Sequence, residues 1–368
     1  MPYSIRYVCS ECGKRTEVTT LKPQCECGGL WTLSYKPPLF DLSLADNSIW
    51  GMFRYRRFLP LIGDEWQAIT LGEGMTPIIR FDENLLLKMD YLTPTLSFKD
   101  RGAAMLVSHC KAIGVKRVVQ DSSGNAGNSV AAYCARAGIE CEIFVPEGTS
   151  AMKLKLIQAH GAKLSVVPGS RDSCAEVCRK KAFDEGVYYA NHVYNPFFYQ
   201  GTKTYIYEVY EQLGRIPQNI FIPLGNGTLF IGIIKALEEL LESGIIAKTP
   251  AIFAVQSEYC APFIQAVSKG SNKVEGVEAK KTLAEGIAIG KPMRAKEILG
   301  YIYKYEAKVI PAPENSIKEA QQDLALKGIY VESTTAATLA AYKSYTGING
   351  KLNDCLIPMC GAGTKSDK

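Results

Sequence analysis

The sequence predicts an α/β protein of two lobes, with parallel-rich sheets flanked by helices and a small cysteine-bearing module at the N-terminal end. Three observations predict it. From Lys116 onward strand-like and helix-like segments alternate strictly, which implies crossover units around parallel sheets. Loops rich in glycine, serine and asparagine follow strand-like segments and open apolar helices, where ligands of open parallel sheets bind. Four of the twelve cysteines fall between residues 9 and 27.

A chain of 368 residues is long enough for two lobes, each with its own core. The expected division is a zinc-ribbon-like module over 1–35, a large lobe from 36–96 and 191–368, and a small mobile lobe over 97–190. The hydrophobic fraction of 47%, charged fraction of 21% and net charge of +5 are those of an ordinary globular protein and argue against a dedicated nucleic-acid binder. No apolar run approaches the roughly 18–20 residues that span a bilayer. The start MPYSIRYVCS lacks the basic-then-apolar pattern of a signal peptide. The expectation is a cytoplasmic protein with neither nucleic-acid nor membrane partners.

At the N-terminal end, Cys9-Ser10-Glu11-Cys12 and Cys25-Glu26-Cys27-Gly28-Gly29 place two cysteine pairs on tight turns. Four thiolates so spaced suit tetrahedral zinc, which supplies folding energy that a module of about 25 residues lacks. The second pair has one intervening residue where two are usual. A redox pair and four structural thiols are the competing readings, but a redox CxxC requires a thioredoxin-like context that is absent. The other eight cysteines read as small buried hydrophobes.

Residues 36–75 form a connector rich in aromatics and arginine. Strand-like segments follow at Lys116–Gln120, Glu140–Val145, Lys163–Val167, Val187–Ala190 and Asn219–Pro223. Helices are expected over Ala126–Ala137, Ser150–His160, Arg171–Asp184, Gln200–Leu213 and Leu229–Leu241. Ala251–Gln256, Glu314–Leu326, Thr335–Tyr345 and Cys355–Met359 continue the pattern.

Three loops carry chemistry. In Ser97-Phe98-Lys99-Asp100-Arg101-Gly102, a helix begins at a lysine after the Thr93-Pro94 turn. The positive end of a helix dipole disfavours an ammonium, which suits a lysine that must lose its proton to form an imine. Asp121-Ser122-Ser123-Gly124-Asn125-Ala126-Gly127-Asn128-Ser129 offers amides and hydroxyls to a carboxylate, in a run longer than a simple helix cap requires. Gly225-Asn226-Gly227-Thr228-Leu229 reads as a phosphate cradle, although it matches neither the Walker A nor the dinucleotide fingerprint. A lysine nucleophile, a carboxylate loop and a phosphate cradle on separate strand ends fit a pyridoxal phosphate (PLP) site.

Gly72–Pro77, Thr95–Gly102, Ser122–Ser129, Gly225–Leu229 and the terminal Cys360-Gly361-Ala362-Gly363-Thr364-Lys365 occur in the same order as in threonine synthase and its relatives. The chain resembles these fold type II PLP enzymes over nearly its whole length. The cysteine cluster with its CGG ending also resembles theirs. The resemblance implies that Lys99 holds PLP as a Schiff base beside Phe98 and then moves the α-proton. It implies that Asn125 bonds the cofactor's phenolic oxygen, that Ser122, Ser123, Gly124, Asn125 and Ala126 hold the substrate carboxylate, and that Gly225, Asn226, Gly227, Thr228 and Leu229 bind the phosphate. It places Cys360 opposite the pyridine nitrogen, where relatives carry a hydroxyl residue. It further implies structural zinc on Cys9, Cys12, Cys25 and Cys27, a small amino-acid substrate, a role in amino-acid biosynthesis and a homodimer.

Two departures bear on the substrate. Cys360 looks closer to some serine and threonine dehydratases. Phe198 stands just after Asn195-Pro196 where related synthases carry an arginine that clamps the phosphate of O-phosphohomoserine, leaving Lys153 as a substitute charge. The expectation is a lyase acting by elimination and replacement at an amino-acid side chain, with O-phosphohomoserine to threonine as the leading reaction. The alternatives are a serine/threonine dehydratase or diamino-acid ammonia-lyase, cysteate-synthase-like replacement on O-phosphoserine, and a non-catalytic regulatory protein that binds zinc and PLP.

Overall fold

A computed structural model describes residues 5–365. In chain order it begins with β1 (Arg6–Cys9), β2 (Arg15–Glu17), β3 (Trp31–Ser34), the short α1 (Trp66–Ile69), β4 (Ile78–Arg80), β5 (Leu85–Lys88) and α2 (Lys99–Ala112). There follow β6 (Arg117–Gln120), α3 (Asn125–Ala137), β7 (Glu140–Pro146), α4 (Ala151–Ala159), β8 (Lys163–Val167), α5 (Arg171–Asp184) and β9 (Tyr188–Tyr189). Next come α6 (Pro196–Thr202), α7 (Thr204–Leu213), β10 (Asn219–Pro223), α8 (Thr228–Glu242), β11 (Ala251–Ser257) and α9 (Pro262–Ser268). The chain closes with α10 (Ala295–Lys304), β12 (Lys308–Ala312), α11 (Ile317–Ala325), α12 (Ser333–Asn349) and β13 (Cys355–Pro358).

These elements form two compact units. The first comprises the described chain up to Gly74, Thr93–Thr202 and Lys365; the second comprises Met75–Leu92 and Lys203–Thr364. Residues 36–74 thus belong with the first unit. None of the described helices is long and apolar enough to cross a membrane.

The first unit holds a wholly parallel sheet in the order β8-β7-β6-β9 and a small antiparallel sheet in the order β2-β1-β3. Helices cover the parallel sheet, so Val118, Val119 and Gln120 of β6 are all buried. Helix α2 is buried from Asp100 to Cys110, which makes it a central rather than a surface helix. Its Gly102 lies so close under α6 that an added Cβ would sit 2.2 Å from the Phe198 ring. On β1, Tyr7 stacks on Trp31 at 5.8 Å and meets Phe197 edge-on at 6.1 Å, tying the cysteine-bearing segment to this core.

The second unit holds six strands in the order β12-β11-β10-β13-β5-β4, parallel except for the edge strand β4. Phe221 and Phe253 stack across β10 and β11 at 4.3 Å. Lys88 is wholly buried, and its ammonium pairs with the equally buried Glu208 at 2.8 Å and donates to the Thr76 carbonyl at 2.5 Å.

The strand-like segments from Lys116 onward are found, with the parallel pairing that their alternation with helices predicts. One expectation needs correction: Gln200–Leu213 is not a single helix. Helix α6 starts earlier, at Pro196, with the Phe197 amide donating to Asn195 Oδ1 at 2.9 Å, and a break at Lys203 separates it from α7. At the break the Lys203 carbonyl accepts from the Ile206 amide, three residues on, and the buried Lys203 ammonium turns to Glu239 at 2.7 Å.

A buried carboxylate ties β6, β7, β8 and α5 together. Burial opposes the ionisation of Glu142, but hydrogen bonds from Ser165, Lys181 and Arg117 outweigh it and bring the carboxyl to about 2. A carboxyl depressed on folding stabilises the fold above its unfolded pKa, and that contribution is lost as pH falls toward its folded value. Between about pH 4.5 and pH 2 the wild type should therefore lose on the order of 2–3 kcal/mol that Glu142→Gln does not lose. Denaturant unfolding across this range checks it; parallel stability curves for the two proteins would refute the linkage.

Candidate active site

In the first unit Lys99 is the first residue of α2, and its Nζ lies 4.1 Å from the centre of the Phe98 ring. No side chain caps this helix start. The next residue fixes it in place. Asp100 is fully buried and accepts from the Thr95 amide at 2.7 Å, the Thr95 hydroxyl at 2.5 Å and the Ser129 hydroxyl of α3. Burial raises the Asp100 carboxyl above the usual range, against the pull of these donors.

The Ser122–Ala126 loop leaves the carboxyl end of β6 and enters α3. Gly124 caps the helix without a side-chain bond, and the Asn128 amide bonds back to the Gly124 carbonyl at 3.1 Å. Gly127 is required by close approach: a Cβ there would lie 1.7 Å from the Ser122 carbonyl oxygen. Asn125 Oδ1 accepts from the Lys365 ammonium at 2.6 Å, and Lys365 also donates to the Thr95 carbonyl at 3.1 Å. That bond fixes the orientation of the Asn125 amide, making its Nδ2 hydrogens the donors.

Asp121 joins this loop to the end of β9, its Oδ1 accepting from Tyr189 at 2.8 Å and Asn191 at 2.6 Å. Asn191 Oδ1 accepts from the Val193 and Tyr194 amides and shapes the turn that carries His192. Phe198 is fully buried on α6 against Gly102, with its ring 5.6 Å from that of His192. Lys153 lies in the first turn of α4, partly buried, with its amide donating to Ser150 at 3.5 Å.

In the second unit the phosphate-cradle motif occupies the turn from β10 into α8. Gly227 caps the helix at φ 78° without a side-chain bond, and a Cβ there would lie 2.4 Å from Ile298. The glycine is needed on both counts. Fifteen residues of α8 aim their positive dipole end and first amides at this turn. Cys360 is buried just beyond β13, which pairs with β10, so Cys360 and Gly225 leave the carboxyl ends of adjacent strands.

The four N-terminal cysteines converge. Their sulfurs lie within 4.8 Å of one another, with Cys9–Cys27 at 3.4 Å and Cys12–Cys25 at 3.7 Å. Tetrahedral zinc with Zn–S bonds of about 2.3 Å separates its sulfurs by about 3.8 Å, so the set fits. The Glu11 amide donates to Cys9 Sγ at 3.4 Å, as to a thiolate. The single residue between Cys25 and Cys27 suffices because Gly28 turns the chain at φ 87°, with the Gly28 amide bonded to the Cys25 carbonyl.

Sequence reasoning assigned no role to Asp100, Lys365, His192, Gln120 or Asn128. The signal for Gln120 and Asn128 was a polar side chain at the end of an apolar strand and in the first turn of an apolar helix.

Helices α3 and α8 each start at a glycine with no side-chain cap, and a lysine opens α2. Residues 69–361 match the pyridoxal-phosphate dependent enzyme family, and the chain belongs to it. Within that family it is threonine-synthase-like. It is 33% identical to the threonine synthase of Methanocaldococcus jannaschii over 91% of this chain and 86% of that one. It is 35% identical to the threonine synthase of Mycobacterium leprae over 78% and 79%. In fold it matches threonine deaminase isoform 2 of Solanum lycopersicum with a TM-score of 0.69 at 20% identity, over 89% and 92% of the two chains.

Proposed function

We propose that the chain catalyses elimination and replacement at the side chain of an amino acid, with conversion of O-phosphohomoserine to threonine as the leading reaction. The observation that carries this reading is the pair of uncapped, glycine-entered helix starts, each at the carboxyl end of a parallel strand, together with Lys99 at the start of α2. Bound PLP supplies an electron sink that acidifies the α-carbon of an amino acid.

Lys99 Nζ would be the point of covalent attachment and then carry the α-proton, its neutral amine form favoured by the positive end of α2. The first amides of α3, with Ser122 and Ser123, would orient the substrate carboxylate. The Gly225–Leu229 turn would bind the cofactor phosphate through the amides of α8 and the Thr228 hydroxyl. Asn125, held by Lys365, would donate from Nδ2 to the phenolic oxygen. Cys360 would face the pyridine nitrogen as a neutral partner and leave it largely unprotonated.

Phe198 favours a second reading. A fully buried ring stands where related synthases carry an arginine, which points to an uncharged leaving group, as in a serine or threonine dehydratase. The cysteine cluster we assign to structural zinc, because a closed four-sulfur site has no open position for catalysis.

Lys99→Ala should abolish the visible absorbance of bound cofactor and lower turnover by about 10²–10⁴-fold or more; borohydride-trapped label on a different lysine would overturn the assignment. Metal analysis should find about one zinc per chain, and Cys12→Ser should lower stability far more than it alters the chemistry of the folded protein. No bound metal and four freely reactive thiols would rule that site out. Phe198→Arg should raise turnover of O-phosphohomoserine by roughly tenfold or more through a charge-assisted bond. Efficient wild-type turnover of that substrate, unchanged by substitution at 198, would remove the second reading.

A further inference from the structure

Several buried polar groups in the first unit have no partner among the described residues. Besides others such as Ser108 Oγ and His109 Nδ1 farther along α2, they include Ser97 Oγ, both amide atoms of Gln120, Asn128 Oδ1 and His192 Nδ1, and each of these four residues is more than nine-tenths buried. Buried polar groups are ordinarily satisfied, so such a concentration calls for a ligand.

The topology gathers them beside Lys99. Ser97 lies two residues before it. Gln120 ends β6, whose register pairs Val119 with Tyr189, and the Ala190 amide bonds the Val119 carbonyl. Gln120 therefore runs alongside the segment that turns into His192. Asn128 is in the first turn of α3, the helix that Ser129 fastens to Asp100. The imidazole of His192 packs edge-on to Phe198. Burial first, then the positive charges of Lys99 and Arg171, hold it well below its ordinary pKa. It is thus a neutral hydrogen-bonding group in reach of the lysine's field.

We propose that His192 is a specificity-determining residue, its Nδ1 hydrogen-bonding an uncharged side-chain oxygen of the amino acid bound at Lys99. The inference rests on the second reading above, that of an uncharged leaving group, and deepens it. The Asn191 turn holds the ring in position, and Phe198 gives the oxygen an apolar neighbour. A site built to bond a hydroxyl rejects the analogue that lacks it, because its own polar group is then left unpaired.

The test uses the PLP-loaded enzyme and two ligand pairs, L-serine with L-alanine and L-homoserine with L-2-aminobutyrate, each titrated by the change in cofactor absorbance. O-phosphohomoserine forms a third arm. The wild type should bind the hydroxyl-bearing member of each pair roughly tenfold or more tightly than its analogue. His192→Ala should erase that ratio while leaving the ligand-free cofactor spectrum and the affinity for L-alanine unchanged. His192→Asn, whose amide reaches the position of Nδ1, should restore much of it.

If His192→Ala weakens both members of a pair equally, or leaves the ratio intact, the proposal is overturned. If it weakens only O-phosphohomoserine, the uncharged class is wrong and the proposal also falls. If the wild type shows no cofactor absorbance, the functional reading itself fails. That result is distinct from a loaded enzyme indifferent to residue 192.

Discussion

The buried Asp100 carboxylate is the constraint on which the first unit's chemistry depends. It accepts from Thr95 before α2 and from Ser129 within α3, so two helix starts share one anchor. Lys99 precedes it and Asn125 lies four residues before Ser129. A fully buried carboxylate is unfavourable unless its oxygens are satisfied, and here three donors converge on it. Such an arrangement stabilises one geometry over its alternatives more than it stabilises the fold. The backbone from which Lys99 springs is held, and the start of α3 is fixed relative to it.

A second buried acid extends the same logic. Glu73 accepts from the Tyr133 hydroxyl of α3 at 2.7 Å and from the Leu71 amide at 2.9 Å, and burial raises its carboxyl. Asp100 adds to that rise as a neighbouring negative charge. Two neighbouring acids, Asp100 at the start of α2 and Glu73 in the segment before β4, oppose each other's ionisation, and the hydroxyl and amide donors around each offset that repulsion. The region is held by directed bonds, whereas the surrounding core of alanine, valine and leucine on α2 and α3 supplies undirected burial.

The substrate proposed above depends on the polarity around Phe198. Phe198 is apolar and closely packed on Gly102, while His192, Gln120 and Asn128 bring neutral hydrogen-bonding groups to the same unit. A phosphate calls for cations and several donors; a hydroxyl calls for one or two neutral partners. The family match fixes the cofactor class and the kind of reaction. It leaves the leaving group open, and the proposed role of Phe198 bears on that choice.

Much of the architecture was legible in the sequence because period and punctuation are local. Alternating strand-like and helical segments from Lys116 onward gave the parallel sheets, and glycine-rich turns marked the helix starts at Gly124 and Gly227. The four cysteines announced their own convergence through spacing alone. Short strands such as β2 and β4 and the helix α10 carry too few residues or too mixed a pattern to be read without their neighbours. The Lys203 ammonium meets Glu239 on another helix, which no window of sequence contains. The same holds for Lys365 on Asn125 and for the unsatisfied Nδ1 of His192. Sequence determined which segments could form elements and which residue types could do chemistry. Tertiary structure decided which polar groups meet a partner among the described residues and which do not, because burial and hydrogen bonding are set by residues far apart in the chain.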